Sequence, residues 1–482
     1  MAKSIKLNLF FNIIQNITAV IFPLITAPYL ARVLEPDGIG LFNFASTYAS
    51  YFAIFAVLGR PFYAVREIAK IRDDIKKQEK FVSEMMSLTF VTTLIASTVY
   101  VASVFIIPQM YENYVLFLVA ALNLYITPLS IDFFYKGREE FGYITFRSLV
   151  MRILSIVLMF LFVREKGDLL YLVLINSLTT CLNIIWNFAK LKKTGVEPYF
   201  TLKFTRHIKP LLILFASNIA ISVYTILDTL MLGFMTSYEE VGFYNNASHI
   251  AKSLLPIATS LAAVAMPRLS YYMKSGDWNQ INDLMNKSLS IVSFLCFPMA
   301  MGVIAIAPTF VPLFYGELFY GAIIPLQIIV GIVIAIGLNN LLGIQVMIGL
   351  GYDKMFLYAV LVGTFSNFFA NLFLIPSFGA IGASIASVGA ETLILLVEIV
   401  MVYKLTPIRF NKLREVVMCA LIPLLYFPMV KILDKYVSGW YLVGVFVACG
   451  GLYYVLVQLL IRNSTALIFK QTIMNRLRNK KA

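Results

Sequence analysis

Apolar stretches of about twenty residues alternate with short polar connections along the whole chain, and the pattern occurs fourteen times. An α-helix of about 20 residues crosses the ~30 Å hydrocarbon core of a bilayer, so each stretch predicts one membrane span. The first six run approximately over residues 8–30, 39–58, 81–107, 114–134, 143–163 and 169–188. Another six cover 211–235, 241–266, 288–314, 322–350, 355–375 and 379–403, and a final pair covers 416–430 and 441–460. The longest connections, Gly59 to Lys80 and Ala189 to Lys209, are too short for a soluble domain. Between Arg60 and Lys80 basic residues mix with Phe62, Tyr63, Val65, Ile68 and Ile71, which predicts an amphipathic helix lying against anionic headgroups. Pro23 and Pro28 in the first span, and Gly331, Gly337, Gly343 and Gly349 in the tenth, predict hinges or tight helix packing.

The pattern also repeats at longer range. Gly40-Leu41-Phe42-Asn43-Phe44-Ala45-Ser46, opening the second span, matches Gly242-Phe243-Tyr244-Asn245-Asn246-Ala247-Ser248, opening the eighth. The same offset pairs Asn16 with Asn218. Lys136-Gly137-Arg138-Glu139 after the fourth span resembles Leu350-Gly351-Tyr352-Asp353 after the tenth. Six spans per repeat is an even number, so both halves share one orientation, which predicts a pseudo-two-fold axis along the membrane normal. The expected fold is an all-α polytopic membrane protein of about 14 transmembrane helices in two six-helix lobes plus a terminal helix pair. Its parts are an N-terminal lobe at 1–190, a cytoplasmic linker at 191–208, a C-terminal lobe at 209–404, and the last pair with a basic tail at 405–482.

Composition agrees: 60% of residues are hydrophobic and 13% charged, about half the charge of an ordinary soluble domain. The net charge of +14 would suggest nucleic acid in a soluble protein, but here it orients the chain. With a cytoplasmic N-terminus, 31 Lys and Arg fall in cytoplasmic segments and five outside. Cytoplasmic connections carry the positive excess, so both termini are expected in the cytoplasm. Four cysteines lie far apart and there are two histidines, which leaves too few ligands for a zinc site and argues against a disulfide framework. No metal, no cofactor and no nucleic-acid partner is expected. A phosphate-binding G-x-x-x-x-G-K-[S/T] loop is absent, so ATP hydrolysis is not expected either.

Four segments carry a family resemblance. They are Arg32-Val33-Leu34-Glu35-Pro36-Asp37-Gly38-Ile39-Gly40, Arg66-Glu67-Ile68-Ala69-Lys70, Asp228-Thr229-Leu230-Met231-Leu232-Gly233 with Val241-Gly242-Phe243-Tyr244, and Ile375-Pro376-Ser377-Phe378-Gly379-Ala380-Ile381-Gly382-Ala383-Ser384. In order and spacing the chain resembles the Wzx-type oligosaccharide-lipid flippases of the multidrug/oligosaccharidyl-lipid/polysaccharide exporter superfamily. The resemblance implies alternating access and export of a polyprenyl-pyrophosphate-linked oligosaccharide repeat unit across the bacterial cytoplasmic membrane. Surface polysaccharide (capsule, O-antigen or exopolysaccharide) would be the product, with a polymerase and glycosyltransferases as pathway partners. Alternatives are an ion-coupled multidrug antiporter, a lipid II flippase and, from another class, a membrane glycosyltransferase or polymerase. The short outer loops offer little room for that last chemistry, so a non-enzymatic role is expected.

Ionisable side chains inside a span cost about 2.5 to 3.5 kcal/mol on insertion scales and must face protein or water. Arg147, Arg152 and Lys252 are therefore candidates for a cationic wall facing a pyrophosphate, since guanidinium groups offer paired donors to phosphate oxygens. The competing account is a set of internal ion pairs. Asn245, His249 and Lys252 follow i, i+4, i+7 spacing and share one helix face. Asn43 repeats that stripe on the second span, and Asn16 and Asn218 extend it. Amides both donate and accept, which suits sugar hydroxyls; interhelical hydrogen bonding is the alternative. Asp228 and Glu391 are candidates for holding a coupling proton or sodium ion, or for pairing with a basic residue. Glu398 lies nearer the cytoplasm, and Asp132 and Glu84 lie near cytoplasmic span ends.

Overall fold

The computed structural model describes residues 5–479; the side chains at 5–9, 12, 13, 16, 20, 62, 213, 216–225, 260–268, 270, 273–275, 473 and 476–479 fall outside the description. Every regular element among the described residues is helical. Nine helical segments of these residues are long and apolar enough to cross a membrane, and Tyr114–Leu129 and Ile226–Met235 are shorter apolar helices.

Two elements are too long for one crossing. Ile5–Val57 and Asp353–Leu405 have 53 residues each, roughly 80 Å if straight, against ~30 Å of hydrocarbon. The first breaks at Glu35 (φ 59°), just before Pro36; it runs on through Pro23 and Pro28, where hinges were expected. Gly379 (φ 52°) breaks the second. There a Cβ on Gly382 would overlap the Leu374 carbonyl, and one on Gly363 would overlap the Ile394 side chain. Those contacts align the two arms antiparallel, so 353–405 is a helical hairpin.

The chain divides into two compact units, Met1–Gly242 and Phe243–Ala482. In the first, the Glu35 break has a counterpart at the repeat offset. Helix Thr205–Met235 ends at Thr236, and the next helix begins at Tyr238. The two breaks meet: a Cβ on Gly40 would overlap the Tyr238 carbonyl oxygen, and one on Gly242 the Pro36 carbonyl oxygen. The glycines matched in the sequence repeat are thus the residues that let these backbones touch.

The segment expected to lie on headgroups behaves differently. Helix Arg60–Lys70 stops at Ile71, and helix Ile75–Ile106 starts behind Asp74, whose carboxylate accepts from Lys77 N at 3.0 Å. The N-cap divides what was read as one helix. Tyr63, Ala64 and Ile68 are buried in a core with Phe81, Met85, Phe133 and Phe134, so the apolar face packs on protein instead of lipid.

In the second unit the tenth apolar stretch is irregular: Glu317–Ala322 is 3₁₀, Ile323–Ile329 and Ile332–Asn339 are α, and Asn340–Ile348 is a π-helix. A Cβ on Gly337 would crowd Cys296 Sγ, and one on Gly343 would meet Phe356 and Glu398. Those two glycines serve close packing. Large apolar side chains are exposed on both units, among them Ile95 (62%), Phe373 (76%) and Leu460 (81%), as a lipid-facing surface requires.

Candidate functional site

Helix Phe141–Phe162, over the stretch read from sequence as the fifth span, carries two of the expected cations and treats them differently. Arg147 is 1% exposed. Its NH2 pairs with Asp132 Oδ1 at 3.0 Å, and its NH1 donates to Asn187 Oδ1. Asn187 Nδ2 closes the triangle with Asp132 at 2.8 Å. Arg147 is thus held in an internal ion pair. One turn and a half further on, Arg152 is half-buried, and among the described residues the groups it meets are neutral. It donates to Thr18 Oγ1 at 2.6 Å and Gln15 O at 3.3 Å, with its guanidinium 5.9 Å from the Phe22 ring centroid.

Another buried cation lies where the charge tally placed only surface charge. Arg60 is 4% exposed and donates to Thr89 Oγ1 at 3.1 Å and Thr127 O at 3.2 Å, over the Phe133 ring. Burial pushes its guanidinium down to about 10, still protonated at neutral pH.

Of the polar stripe, Asn43 is half-buried on the arm beyond Pro36. Asn245 is half-buried, and His249 and Lys252 are exposed, all on helix Tyr238–Ser275. The side chains of Asn16 and Asn218 lie outside the described residues. Asp228 is buried at 6% exposure in the first unit. In the second unit Glu391 accepts from Asn339 Nδ2 at 2.8 Å, and Tyr244 Oη and Ser387 Oγ lie 3.1 Å apart. Glu398 is fully buried, and neither carboxylate oxygen has a hydrogen-bond partner among the described residues. Asn371 Nδ2 donates to Asn367 Oδ1 at 3.1 Å, both buried.

A cavity of about 360 Å³ opens within the first unit between the arm beyond Pro36, the Tyr114–Tyr125 stretch and helix Leu169–Lys192. Ser46, Ser50, Asn123, Asn176, Thr179 and Thr180 supply its polar lining. Of these, Ser50 lies seven residues beyond Asn43 and so shares its helix face. For Asn176 and Thr180 the signal was present, because they share one face with Asn183 at i, i+4, i+7 spacing, but it has no matched copy in the second half.

The profile of the polysaccharide biosynthesis protein family matches residues 5–273. This chain belongs to that family. The putative O-antigen transporter of Escherichia coli (strain K12) is 25% identical over 402 residues, covering 81% of this chain and 95% of that relative. The probable flippase AglR of Haloferax volcanii is 27% identical over 172 residues, 35% of this chain and 36% of its own length. Among solved structures, the lipid II flippase MurJ in an inward closed conformation aligns over 95% of this chain and 100% of its own, with a TM-score of 0.75 at 16% identity. A multidrug resistance MATE family transporter in an inward-facing conformation gives 0.57 at 14% identity, over 79% of this chain and 92% of that one. This polysaccharide biosynthesis protein is therefore a multi-pass membrane protein with the fold of that exporter superfamily. It belongs with transporters and flippases and is not an enzyme, which sets aside the glycosyltransferase and polymerase alternative.

Proposed function

We propose that the protein is a flippase that moves a polyprenyl-pyrophosphate-linked oligosaccharide repeat unit across the cytoplasmic membrane by alternating access. Its product pathway would be surface polysaccharide synthesis, in company with a polymerase and glycosyltransferases. The observation that carries this reading is Arg152. A guanidinium within a span whose observed partners are all neutral holds a net positive charge for an anion to meet, and pyrophosphate oxygens fit its paired donors. Arg147, tied to Asp132, keeps its neighbours in place instead. The similarity to a putative O-antigen transporter across 81% of the chain supports the same substrate class.

The finer assignments follow from this reading. Fourteen spans form two six-span repeats, 1–190 and 209–404, joined by 191–208 and followed by 405–482, with both termini in the cytoplasm. Lys252 and His249 add positive or donor groups toward the headgroup, while Asn43, Asn245, Asn16 and Asn218 serve the glycan. Asp228 and Glu391 hold a coupling proton or sodium ion.

The test is binding and export by Arg152→Ala and Arg152→Lys. Alanine lowers export at least tenfold at unchanged abundance and weakens binding of a short-chain polyprenyl pyrophosphate. Lysine restores part of both if positive potential suffices, and little if paired donors are needed. Normal export by the alanine variant would remove the reading.

A further inference from the structure

We propose that the cavity of the first unit is a binding site for one uncharged sugar ring of the transported glycan, an inference that rests on the function proposed above. Its depth is the first argument. Thr180 lies eleven residues into helix Leu169–Lys192, about 16 Å along an α-helix. Ser50 lies near the middle of the arm that ends at Val57. Both side chains are exposed, and Asn176 is half-buried. Polar groups at that depth are rarely left against hydrocarbon; they face water or a polar ligand.

The hydrogen bonds already made define what that ligand brings. Ser50 Oγ donates to Ser46 O at 2.7 Å, Thr179 Oγ1 to Ile175 O at 2.9 Å, and Thr180 Oγ1 to Asn176 O at 2.8 Å. Each hydroxyl proton is therefore committed to its own helix, and each oxygen offers lone pairs to the cavity. Asn123 Oδ1, on the same wall, is buried and accepts from nothing among the described residues. Acceptor oxygens outnumber the donors, which are the Asn123 and Asn176 amide groups, so the site calls for a ligand that donates more than it accepts and does both. The described lining holds no Lys, Arg, Asp, Glu or His, so neither a phosphate nor a cationic amine finds a counter-charge there. Phe42 supplies an apolar surface beside these groups, as the C–H face of a pyranose requires. A neutral polyhydroxylated ring meets all of these conditions. The volume, about 360 Å³, is near the lower end of the ~300–1,000 Å³ typical of ligand pockets. It suits a single ring rather than a whole lipid-linked glycan.

The experiment uses the full-length protein in lipid nanodiscs and two probes: a short-chain polyprenyl pyrophosphate bearing a neutral disaccharide, and the same lipid pyrophosphate without sugar. Wild type binds the glycosylated probe more tightly. Thr180→Val keeps the side-chain shape and removes the acceptor, Asn123→Leu removes the unpartnered carbonyl, and each lowers affinity for the glycosylated probe about three- to tenfold. Neither variant changes affinity for the sugar-free probe, and thermal stability of Thr180→Val stays at the wild-type value. Unchanged binding of the glycosylated probe by both variants, or equal loss for both probes, would overturn the proposal. Equal wild-type affinity for the two probes would overturn the sugar site while leaving the flippase reading intact. Failure of wild type to bind either probe would overturn both.

Discussion

Two arginines five residues apart on one helix separate structural from functional charge. Arg147 is enclosed by Asp132 and Asn187, so its loss leaves the Asp132 carboxylate without its counter-charge. Breaking a buried pair costs about 3–5 kcal/mol; Asp132 is 40% exposed, so roughly half of that is expected. Arg147→Ala should therefore lower folded protein in the membrane, and Arg147→Ala with Asp132→Asn should recover part of it. Abundance by quantitative blotting checks this, and an export defect at normal abundance would contradict it. Glu398 poses the opposite case. A buried ionisable group with no hydrogen-bond partner among the described residues is costly, so Glu398→Gln, which keeps the shape and removes the ionisable group, should be at least as abundant as wild type. A marked fall in abundance would show that the carboxylate has a partner the fold depends on.

Helix Arg60–Lys70 acts as an element because its apolar face is committed to protein. Ile68→Ala should destabilise the end of the first unit that holds this helix by about 2–5 kcal/mol, read as faster hydrogen exchange over 60–70. The same element carries a pH dependence. Tyr63 Oη lies 2.7 Å from His207 Nδ1, and His207 Nε2 lies 2.8 Å from Glu84 Oε2. His207 precedes the apolar stretch that begins at Leu211. Burial lowers its pKa below the ordinary 6.5, and the hydrogen bond to Glu84 offsets part of that shift. With the folded value the lower one, the unfolded chain takes up the proton first. Stability is then complete above 6.5 and falls as pH drops through the folded value. The protection factors over 60–70, which compare exchange with the intrinsic base-catalysed rate at each pH, should therefore fall between pH 7.5 and pH 5.5, and His207→Gln should flatten that fall. A wild-type profile that is already flat would exclude this linkage.

The two-sided distribution of charge makes a prediction for the whole molecule. Cysteines introduced at Glu112, Glu239 or Glu317 should react with an impermeant thiol reagent from outside, and those at Lys76 or Lys193 should not. Reversed labelling would overturn the fourteen-span orientation. Deleting the gene should stop surface polysaccharide and leave lipid-linked oligosaccharide on the cytoplasmic leaflet while glycosyl transfer in membrane extracts continues. Loss of that transfer would count against a transport role.

The sequence by itself determined that the chain is helical and multi-pass, because backbone groups in hydrocarbon must bond within their own segment and apolar runs of span length leave one solution. It also carried the match between the segments that open at Gly40 and Gly242, since both glycines are held by a local backbone requirement that any copy of the element shares. Residue roles were less legible. Arg147 and Arg152 look alike in a hydropathy profile, and only packing showed that one meets a carboxylate from 132 and the other a carbonyl from 15. What covers the apolar face of 60–70 was illegible for a related reason: an amphipathic face reports that something apolar covers it, not whether that cover is lipid or protein. Asn123, Ser50 and Thr180 come from three separate helices. Their shared cavity depends on how those helices cross, a property of the folded bundle that no single stretch of sequence contains.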